Sequence, residues 1–301
     1  MKKVLILLST YNGEKYIKEQ LDSIINQTYK NIDIYIRDDG SSDNTLKILK
    51  EYAKKKKNIK VEYGKNKGFL ASFFGMLKDC DKYDYYSFCD QDDVWMKDKI
   101  EKAVKSLEKE DDSQVLLYSS NYDYYDSNMN FVSHTGKVGK KPSFAKAIVE
   151  NIAPGMTMVI NNAARKELIN NKYDDCLLHD WWIYLVCSGL GKVIYDDSIM
   201  VKYRRHEKNV TTVERGFFNT LKWRIKTFLL GNHFSELKKQ LISFKESFND
   251  KLNNKNKKIL NLFCRKKGII TQIRKLFYPV RFKDKIKDEI MIRFMFLLGR
   301  L

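Results

Sequence analysis

The chain has 301 residues, which is enough for one full α/β core and a smaller appendage. Its hydrophobic fraction of 43%, its aromatic fraction of 13% and its three prolines exclude an intrinsically disordered protein. The formal charge of +18 is uneven, because residues 216–301 hold 21 Lys and Arg against 6 Asp and Glu, a net charge of +15. Such a segment suits an anionic partner, either nucleic acid or the cytoplasmic leaflet of a membrane.

The cysteines and the N-terminal segment favour a cytoplasmic location. Five cysteines occur without a CxxC pair or a His partner at metal-binding spacing, so we expect reduced thiols. The first apolar run, Val4–Leu8, is too short for the hydrophobic region of a signal peptide or for a membrane-spanning helix. We therefore expect a protein that stays inside the cell.

Short apolar runs alternate with amphipathic stretches along the first half of the chain. This alternation is typical of βα units and a largely parallel sheet. The predicted strands are Val4–Leu8, Ile32–Ile36, Ile59–Tyr63, Tyr85–Cys89 and Val115–Tyr118. Helices are predicted between them from apolar residues at helical spacing, namely Leu21, Ile24 and Ile25, then Leu46, Ile48 and Leu49, then Phe73, Phe74 and Leu77. Turn-rich sequence follows over 121–141, and then short elements up to Lys202–Arg205.

The sequence past Glu214 predicts only basic amphipathic helices, so we expect an α/β domain over 1–213 and a helical extension over 214–301. The predicted apolar stripes are Phe217, Leu221, Ile225 and Phe228, and then Ile286, Ile290, Phe294 and Leu297. The last apolar run, Ile290–Leu298, is far shorter than the roughly 20 residues that span a bilayer. These helices could lie in a membrane interface, or pack on the α/β domain or on a second copy of the chain.

The four-residue run Asp90, Gln91, Asp92 and Asp93 contains three carboxylates and directly follows the predicted strand Tyr85–Cys89. Like charges this close raise one another's pKa values unless solvent, a cation or basic side chains neutralise them. Oxygen ligands favour Mg²⁺ or Mn²⁺, which proteins usually hold through one or two carboxylates together with substrate phosphates. The alternative is that these residues form the acidic first turn of a following helix.

Polar residues also follow the first two predicted strands. Ser9–Gly13 contains Thr10, Tyr11 and Asn12 at the carboxyl edge of the sheet, which suits a nucleotide; the alternative is a helix cap by Asn12. Arg37–Asp43 contains Asp38 and Asp39, either of which could accept a hydrogen bond from a ring N–H of a pyrimidine. The alternative there is a solvated turn in which Ser42 or Asp43 caps the next helix.

Taken together, these three motifs closely resemble glycosyltransferase family 2, over roughly residues 3–211. The resemblance implies a GT-A, Rossmann-like α/β fold with a mixed, mostly parallel sheet flanked by helices, here followed by the basic helical extension. It implies that Thr10 and Tyr11 contact the base and that Asp39 or Asp38 accepts its imide N–H. It also implies that Asp90 and Asp92 contact the ribose and the metal-bound diphosphate, with Asp93 and Trp95 in support. Asn12 and Gln91 join the nucleotide-sugar site, and the cofactor is Mn²⁺ or Mg²⁺.

The segment His179, Asp180, Trp181 and Trp182 supplies a candidate catalytic base. Inverting sugar transfer needs a carboxylate that takes the proton of the attacking acceptor hydroxyl. Asp180 resembles the base of the family, which commonly follows Glu or His and precedes an aromatic residue. The Trp rings would then floor the sugar pocket; the alternative is Asp180 as a helix cap with both Trp side chains in the core.

Two further segments resemble parts of the same family. Arg204, Arg205 and His206 lie in a Tyr-Arg-x-His-x-x-Asn stretch that is similar to its bacterial rhamnosyltransferase-like branch, and they would bind the leaving diphosphate. The alternative is a solvated basic loop. Thr157 lies in a stretch that resembles the acceptor-side Gly-x-Thr-Met segment, although the start of a buried strand explains it equally well.

The resemblance implies an inverting, metal-dependent glycosyltransferase. Our first expectation is transfer of L-rhamnose from dTDP-L-rhamnose to a saccharide or lipid-linked acceptor in cell-surface polysaccharide synthesis, such as capsule or cell wall. The alternatives are a UDP-hexose donor, a nucleotidyltransferase, which residues 9–16 disfavour because they lack a Gly-rich basic loop, and a nucleic-acid-binding protein, which we rank last. We expect a cytoplasmic protein at the inner face of the membrane, in contact with anionic lipid, with the C-terminal helices also available for homo-oligomers.

Overall fold

The structure is a computed structural model that describes residues 1–135, 139–173, 175–207, 233–266 and 268–301. The chain divides into two compact units. Unit 1 comprises residues 1–140, 153–170 and 191–206, and unit 2 comprises residues 141–152, 171–190 and 207–301. The expected domain boundary at 213/214 and the predicted stripe from Phe217 to Phe228 lie outside the described residues.

Unit 1 is built on one mixed sheet. Its strands are β1 (Val4–Thr10), β2 (Ile32–Asp38), β3 (Ile59–Tyr63), β4 (Tyr85–Cys89), β5 (Val94–Trp95), β6 (Leu116–Tyr125), β7 (Phe131–His134), β8 (Val159–Asn161) and β9 (Lys192–Arg204). Their order across the sheet is β3-β2-β1-β4-β8-β6-β9-β5, and β7 pairs with β6. The ladders among β1 to β4 and between β6 and β9 are parallel, whereas β5, β7 and β8 add antiparallel pairs.

The predicted strands are confirmed, and three of them continue beyond their apolar runs. β1 runs on to Thr10 and β2 to Asp38, which pair with each other at the carboxyl edge of the sheet. β6 continues to Tyr125 and turns back into β7, so the expectation of turn-rich sequence throughout 121–141 is wrong for this part. Polar residues such as Asp123 alternate there with tyrosines, and they conceal the strand because the apolar run has already ended.

Helices cover the sheet of unit 1 with their apolar sides. They are α1 (Ile17–Ile25), α2 (Thr45–Lys55), α3 (Gly68–Asp79), α4 (Lys99–Leu107) and α6 (Asn162–Ile169). Leu21, Leu49 and Leu77 are fully buried, as expected for the core-facing stripe of an amphipathic helix. The three helices predicted from apolar spacing are therefore confirmed.

Unit 2 is helical in its described part. It contains α5 (Phe144–Ala147), α7 (His179–Leu190), α8 (His233–Phe248), α9 (Asn254–Cys264), α10 (Ile269–Leu276) and α11 (Ile286–Leu297). Its core contains Trp182, Phe244 and Phe248, whose rings contact one another. A Cβ atom at Gly189 would lie 3.0 Å from the Phe244 ring and 3.1 Å from the Phe144 ring, closer than van der Waals contact, so a larger residue would force these rings apart.

Candidate functional site

The loops after β1 and β2 are fastened to each other by hydrogen bonds at the carboxyl edge of the sheet. Asn12 adopts φ 49°, donates its backbone N–H to Ser41 Oγ at 2.9 Å and accepts the Ser42 N–H on Oδ1 at 2.8 Å. Gly13 N–H donates to Thr45 Oγ1 at 2.8 Å, which ties the same loop to the start of α2. Asn12 therefore bridges two loops, and the alternative that it caps the next helix is wrong.

Gln91 connects the loop after β4 to the loop after β1. Its Oε1 accepts the Thr10 hydroxyl at 2.6 Å and the Tyr11 N–H at 2.9 Å, and its Nε2 donates to the Tyr11 carbonyl at 3.2 Å. A Cβ atom at Gly13 would collide with the Gln91 side chain, so glycine is required for this close approach. Gln91 thus holds the loop that carries Tyr11, whose side chain is half exposed.

Asp38 and Asp39 are buried and bind the backbone of neighbouring loops. Asp38 accepts the backbone N–H of Ser41 at 3.0 Å and its hydroxyl at 2.6 Å. Asp39 accepts the N–H groups of Lys67 and Gly68, the latter at 2.8 Å, where α3 begins. Asp43 accepts the Thr45 N–H at the first residue of α2, at 2.9 Å, although the N-cap position itself is Asn44. Asp38 and Asp39 therefore hold these loops in place at the edge of the sheet.

Burial separates the roles of the three acids after β4. Asp93 is fully buried and accepts the backbone N–H of Arg204 on Oδ1 at 3.0 Å. Burial, and then the negative charges of Asp92 and Asp90, raise the pKa of the Asp93 carboxyl well above its usual range. Asp90 and Asp92 are only partly buried. Solvent therefore reaches Asp90 and Asp92 in part, whereas Asp93 is buried.

The two-residue strand β5 holds the turn Asp90–Asp93 beside the end of β9. Val94 pairs with Lys202 and Trp95 with Val201, which brings Arg204 and His206 to the turn of acids. The next helix, α4, begins only at Lys99, so the alternative that Asp90–Asp93 form an acidic first helical turn is wrong. Trp95 is buried below the turn, as its expected supporting role requires.

Arg204 is buried, and its guanidinium binds protein groups. Nε donates to the Asp92 carbonyl at 2.8 Å, Nη1 to the Ser127 carbonyl at 2.9 Å, and Nη2 pairs with Glu19 at 2.5 Å. These bonds fix the position of the Asp92 backbone, so the geometry favours a positioning role over the expected direct contact with phosphate. Arg205 is less buried, and its guanidinium lies 3.5 Å from the centroid of the Tyr124 ring.

His206 lies against Asp92. Its Nε2 is 2.8 Å from Asp92 Oδ2, and its ring stacks on Tyr16 with centroids 4.9 Å apart. Tyr16 also lies under the Arg204 guanidinium, at 4.5 Å from its ring centroid. Sequence reasoning predicted His206 but missed Tyr16 and Glu19, because neither belongs to a motif and Glu19 lies 185 residues from Arg204.

A divalent cation fits the acids in this turn. Within the described ranges, no three His, Cys, Asp or Glu side chains form a preassembled metal cluster. Mg²⁺ and Mn²⁺ need fewer protein ligands than that, since water and substrate phosphates supply the remainder. Asp90 and Asp92, which are only partly buried, are the acids that could hold such a cation, whereas Asp93 is fully buried.

The candidate base lies in unit 2, at the start of α7. Asp180 is partly buried and accepts the backbone N–H of Trp181 on Oδ1 at 2.7 Å. His179 is buried, and burial lowers its pKa. Trp181 donates Nε1–H to the Ala147 carbonyl at 2.7 Å, and Trp182 is fully buried. The expectation that both rings floor an open sugar pocket is therefore wrong for Trp182, which packs inside unit 2.

Thr157 is also buried. It lies in a short 3₁₀ turn, Gly155–Thr157, where its hydroxyl donates to the Pro154 carbonyl at 2.7 Å and lies 2.8 Å from Ser119 Oγ. The next strand, β8, starts two residues later, which agrees with the alternative interpretation as the start of a buried strand. The Thr157 hydroxyl is therefore hydrogen-bonded inside the protein, where it stabilises the turn.

Comparison with known proteins places the chain among glycosyltransferases. The model of glycosyl transferase family 2 matches residues 5–169. The dTDP-rhamnosyl transferase RfbG of Shigella flexneri is 38% identical over 216 residues, which is 67% of this chain and 72% of the relative. An uncharacterized glycosyltransferase of Rickettsia typhi is 27% identical over 312 residues, covering 92% of this chain and 96% of the relative.

Solved structures share the fold at low sequence identity. The structure of residues 1–349 of S. aureus TarS gives a TM-score of 0.60 at 16% identity and covers 99% of this chain and 80% of its own. The mannosyltransferase PcManGT from Pyrobaculum calidifontis, in complex with GDP-Man and Mn²⁺, gives a TM-score of 0.53 at 16% identity, covering 99% and 86%. These similarities confirm the expected GT-A fold, a mixed and mostly parallel sheet flanked by helices, with helices following it.

Proposed function

Since the chain belongs to glycosyltransferase family 2, we propose that it transfers L-rhamnose from dTDP-L-rhamnose, with inversion at the anomeric carbon, and with help from a divalent cation. The observation that carries the proposal is the edge of the unit 1 sheet, where Asp92 contacts His206 and Gln91, the residue between Asp90 and Asp92, binds the loop that carries Tyr11. The donor sugar is proposed because the relative from Shigella flexneri, at 38% identity, is named a dTDP-rhamnosyl transferase.

The nucleotide is proposed to bind across the loops after β1, β2 and β4. The exposed Tyr11 ring offers a stacking surface for the base, and Asp39 or Asp38 is the proposed acceptor for its imide N–H. Thr10 and Asn12 keep this loop in place through Gln91 and Ser41. A nucleotide would therefore meet a surface that is already ordered, which lowers the entropic cost of binding.

Asp90 and Asp92 are proposed to hold Mn²⁺ or Mg²⁺ with the donor diphosphate. When bound, the cation neutralises charge that develops on the leaving diphosphate. Arg204 fixes the Asp92 backbone through its carbonyl, and Asp93 fixes Arg204 in turn. His206 and Arg205 are the cationic or hydrogen-bonding side chains that we place beside the diphosphate, His206 because it already contacts Asp92.

Asp180 is proposed as the base that takes the proton of the acceptor hydroxyl. It stands at the start of α7, and its Oδ1 accepts a backbone N–H, which fixes the carboxylate orientation. Buried His179, Trp181 and Trp182 hold this helix end in the core of unit 2. Once the hydroxyl loses its proton, its oxygen attacks the anomeric carbon as the bond to the diphosphate breaks.

The acceptor is proposed to be a saccharide or a lipid-linked sugar at the cytoplasmic face of a membrane. No helix in the described part of the chain is long and apolar enough to cross a bilayer. The basic C-terminal segment offers an electrostatic route to anionic lipid instead. Such a location would bring the enzyme to acceptors used for cell-surface polysaccharide.

Nucleotide binding tests the proposed donor site. Calorimetric titration with dTDP, UDP and GDP, each with Mn²⁺, should give the tightest binding for dTDP in the wild type. Asp92→Asn should weaken that binding at least about ten-fold, because it removes a charge from the proposed cation site. Asp81→Asn is the matched control, since Asp81 is an exposed acid at the opposite end of β4. Equal affinity in wild type and Asp92→Asn would contradict the proposed role of Asp92.

A further inference from the structure

Helix α10 in unit 2 presents its apolar side to solvent. Ile269, Ile270, Ile273 and Phe277 are all exposed, Phe277 by 74%. The buried residue of this helix is Lys275, whose Nζ donates to the Leu301 carbonyl at 2.7 Å. An amphipathic helix in water buries its apolar stripe, so this orientation is the reverse of what water favours.

Helix α11 is apolar on both sides. Ile292, Met295 and Phe296 face the core, where the Phe296 ring contacts Phe263 and Phe282. The opposite side carries the exposed residues Ile286, Ile290, Phe294, Leu297 and Leu298, Ile290 by 65%. The sequence predicted this stripe, and the core of unit 2 does not cover it. An exposed apolar side of this size calls for a second apolar environment.

The exposed apolar residues of the two helices lie on the same side. α10 and α11 pack against each other in antiparallel directions, since Arg293 donates to the Leu276 carbonyl whereas Gln272 lies against Gly299. From these contact positions, the 100° step per residue turns Ile273 and Ile290 towards one common side. We call this surface of α10 and α11, with its nine exposed apolar residues, the two-helix face.

Basic side chains accompany the two-helix face. Residues 268–301 contain 8 Lys and Arg against 3 Asp and Glu, a net charge of +5. Two of the acids, Asp284 and Glu289, are ion-paired with Lys146 and Arg293. The exposed cations of this segment are Arg274, Arg281, Lys285, Lys287 and Arg300. The segment therefore combines apolar contact area with a positive field.

We propose that the two-helix face is a membrane-docking surface that inserts into the headgroup region of an anionic bilayer. Apolar side chains would enter the acyl boundary while Lys and Arg contact anionic headgroups, as in other interfacial amphipathic helices. Anionic lipid explains the charge as well as the apolar residues, whereas a second copy of the same basic surface would be repelled. This inference rests on the proposed location at a membrane and names the surface of unit 2 that would carry it; it does not rest on the proposed donor or catalytic residues.

Vesicle co-sedimentation of the full chain tests the proposal. The wild type should sediment with vesicles of phosphatidylcholine mixed with phosphatidylglycerol, and much less with phosphatidylcholine alone. The variant Ile290→Glu/Phe294→Glu should lower the bound fraction at least about ten-fold, because it places two charges in the inserted side. Both positions are exposed, so the thermal unfolding midpoint should stay unchanged. Lys285→Glu/Lys287→Glu should weaken binding chiefly at low salt.

The control is Ile242→Glu, which adds one negative charge at an exposed apolar position of α8; Ile290→Glu alone is its match in charge. Ile242→Glu should bind vesicles as the wild type does. The proposal is overturned if the wild type stays in the supernatant, or if Ile290→Glu/Phe294→Glu sediments as well as the control. It is also overturned if light scattering shows a dimer that this variant dissociates while vesicle binding is retained. Nucleotide binding by the same variants should be unchanged, so failure here is distinct from failure of the proposed donor site.

Discussion

Gln91 has a structural role within the acidic run Asp90–Asp93. It lies between two acids in the sequence, yet its amide group makes three hydrogen bonds to Thr10 and Tyr11 across the sheet edge. The sequence placed Gln91 at the nucleotide site by resemblance. The geometry adds that Gln91 anchors the Tyr11 loop.

We predict that Gln91→Ala loosens the Tyr11 loop. The variant should lose about 2 kcal/mol of unfolding free energy, because the buried Thr10 hydroxyl and the Tyr11 N–H lose their partner. Its Kd for dTDP should rise about ten-fold, since binding must then order the loop. Denaturant melts and calorimetry measure the two effects. Gln114→Ala, at an exposed position, should change neither, and an unaltered Kd in Gln91→Ala would refute the positioning role.

We predict that Asp180→Asn separates donor binding from transfer. The amide keeps the size of the side chain and an oxygen for the Trp181 N–H but cannot take up a proton at neutral pH. Transfer should therefore fall between about 10²-fold and 10⁴-fold, with the Kd for dTDP unchanged. The control Asp250→Asn removes an exposed acid elsewhere in unit 2 and should transfer normally. Wild-type turnover in Asp180→Asn would remove Asp180 from this role.

Among the elements, the buried strands were the most predictable part of the fold. β4 matches its predicted bounds because its apolar run marks a strand that is buried along its whole length. β3, an edge strand, matches its predicted bounds because its apolar residues alternate with Lys60 and Glu62. β5 and β7 were missed for physical reasons. β5 has only two residues, and its pairing with β9 depends on chain more than 100 residues away, whereas β7 is exposed along its whole length. The sequence around β5 and β7 contains no local pattern that predicts either pairing.

Helix α4 carries a buried lysine that sequence reasoning did not single out. Lys99 Nζ donates to Ser87 Oγ at 3.2 Å and lies 3.7 Å from the ring centroid of Trp95. Burial lowers the pKa of Lys99 to about 7. In the unfolded chain this amine keeps its proton to about pH 10.4, so the unfolded state binds more protons between the two pKa values. The contribution of Lys99 to folding stability therefore improves as pH rises through that window.

We predict that Lys99→Met stabilises the protein most at low pH. The gain in unfolding free energy should be on the order of a few kcal/mol at pH 6 and should shrink as the pH rises towards about 10.4, above which the wild-type amine is neutral in both states. Denaturant melts of variant and wild type across this range give the difference directly. Lys105→Met, on an exposed position of the same helix, should show no such trend. A gain that is independent of pH would contradict a lowered pKa at Lys99.

On the scale of the whole molecule, the sequence predicted the family and the residues at the edge of the sheet. It did not predict that residues 141–152 and 171–190 belong with the C-terminal helices in unit 2, because that grouping depends on contacts such as Phe144 against Phe244. Nor did it reveal that α10 faces outward with its apolar side. Hydrophobic periodicity shows that a helix has an apolar side but not what covers that side.

The central claim is that unit 1 binds a nucleoside diphosphate sugar with a divalent cation at Asp90 and Asp92. The most direct test is to measure nucleoside diphosphate release from a panel of dTDP, UDP and GDP sugars, with Mn²⁺ and with EDTA. We predict release from dTDP-L-rhamnose with Mn²⁺, loss of that release with EDTA, and loss of it in Asp92→Asn. Release from none of the donors, or release that EDTA and Asp92→Asn leave undiminished, would contradict the account.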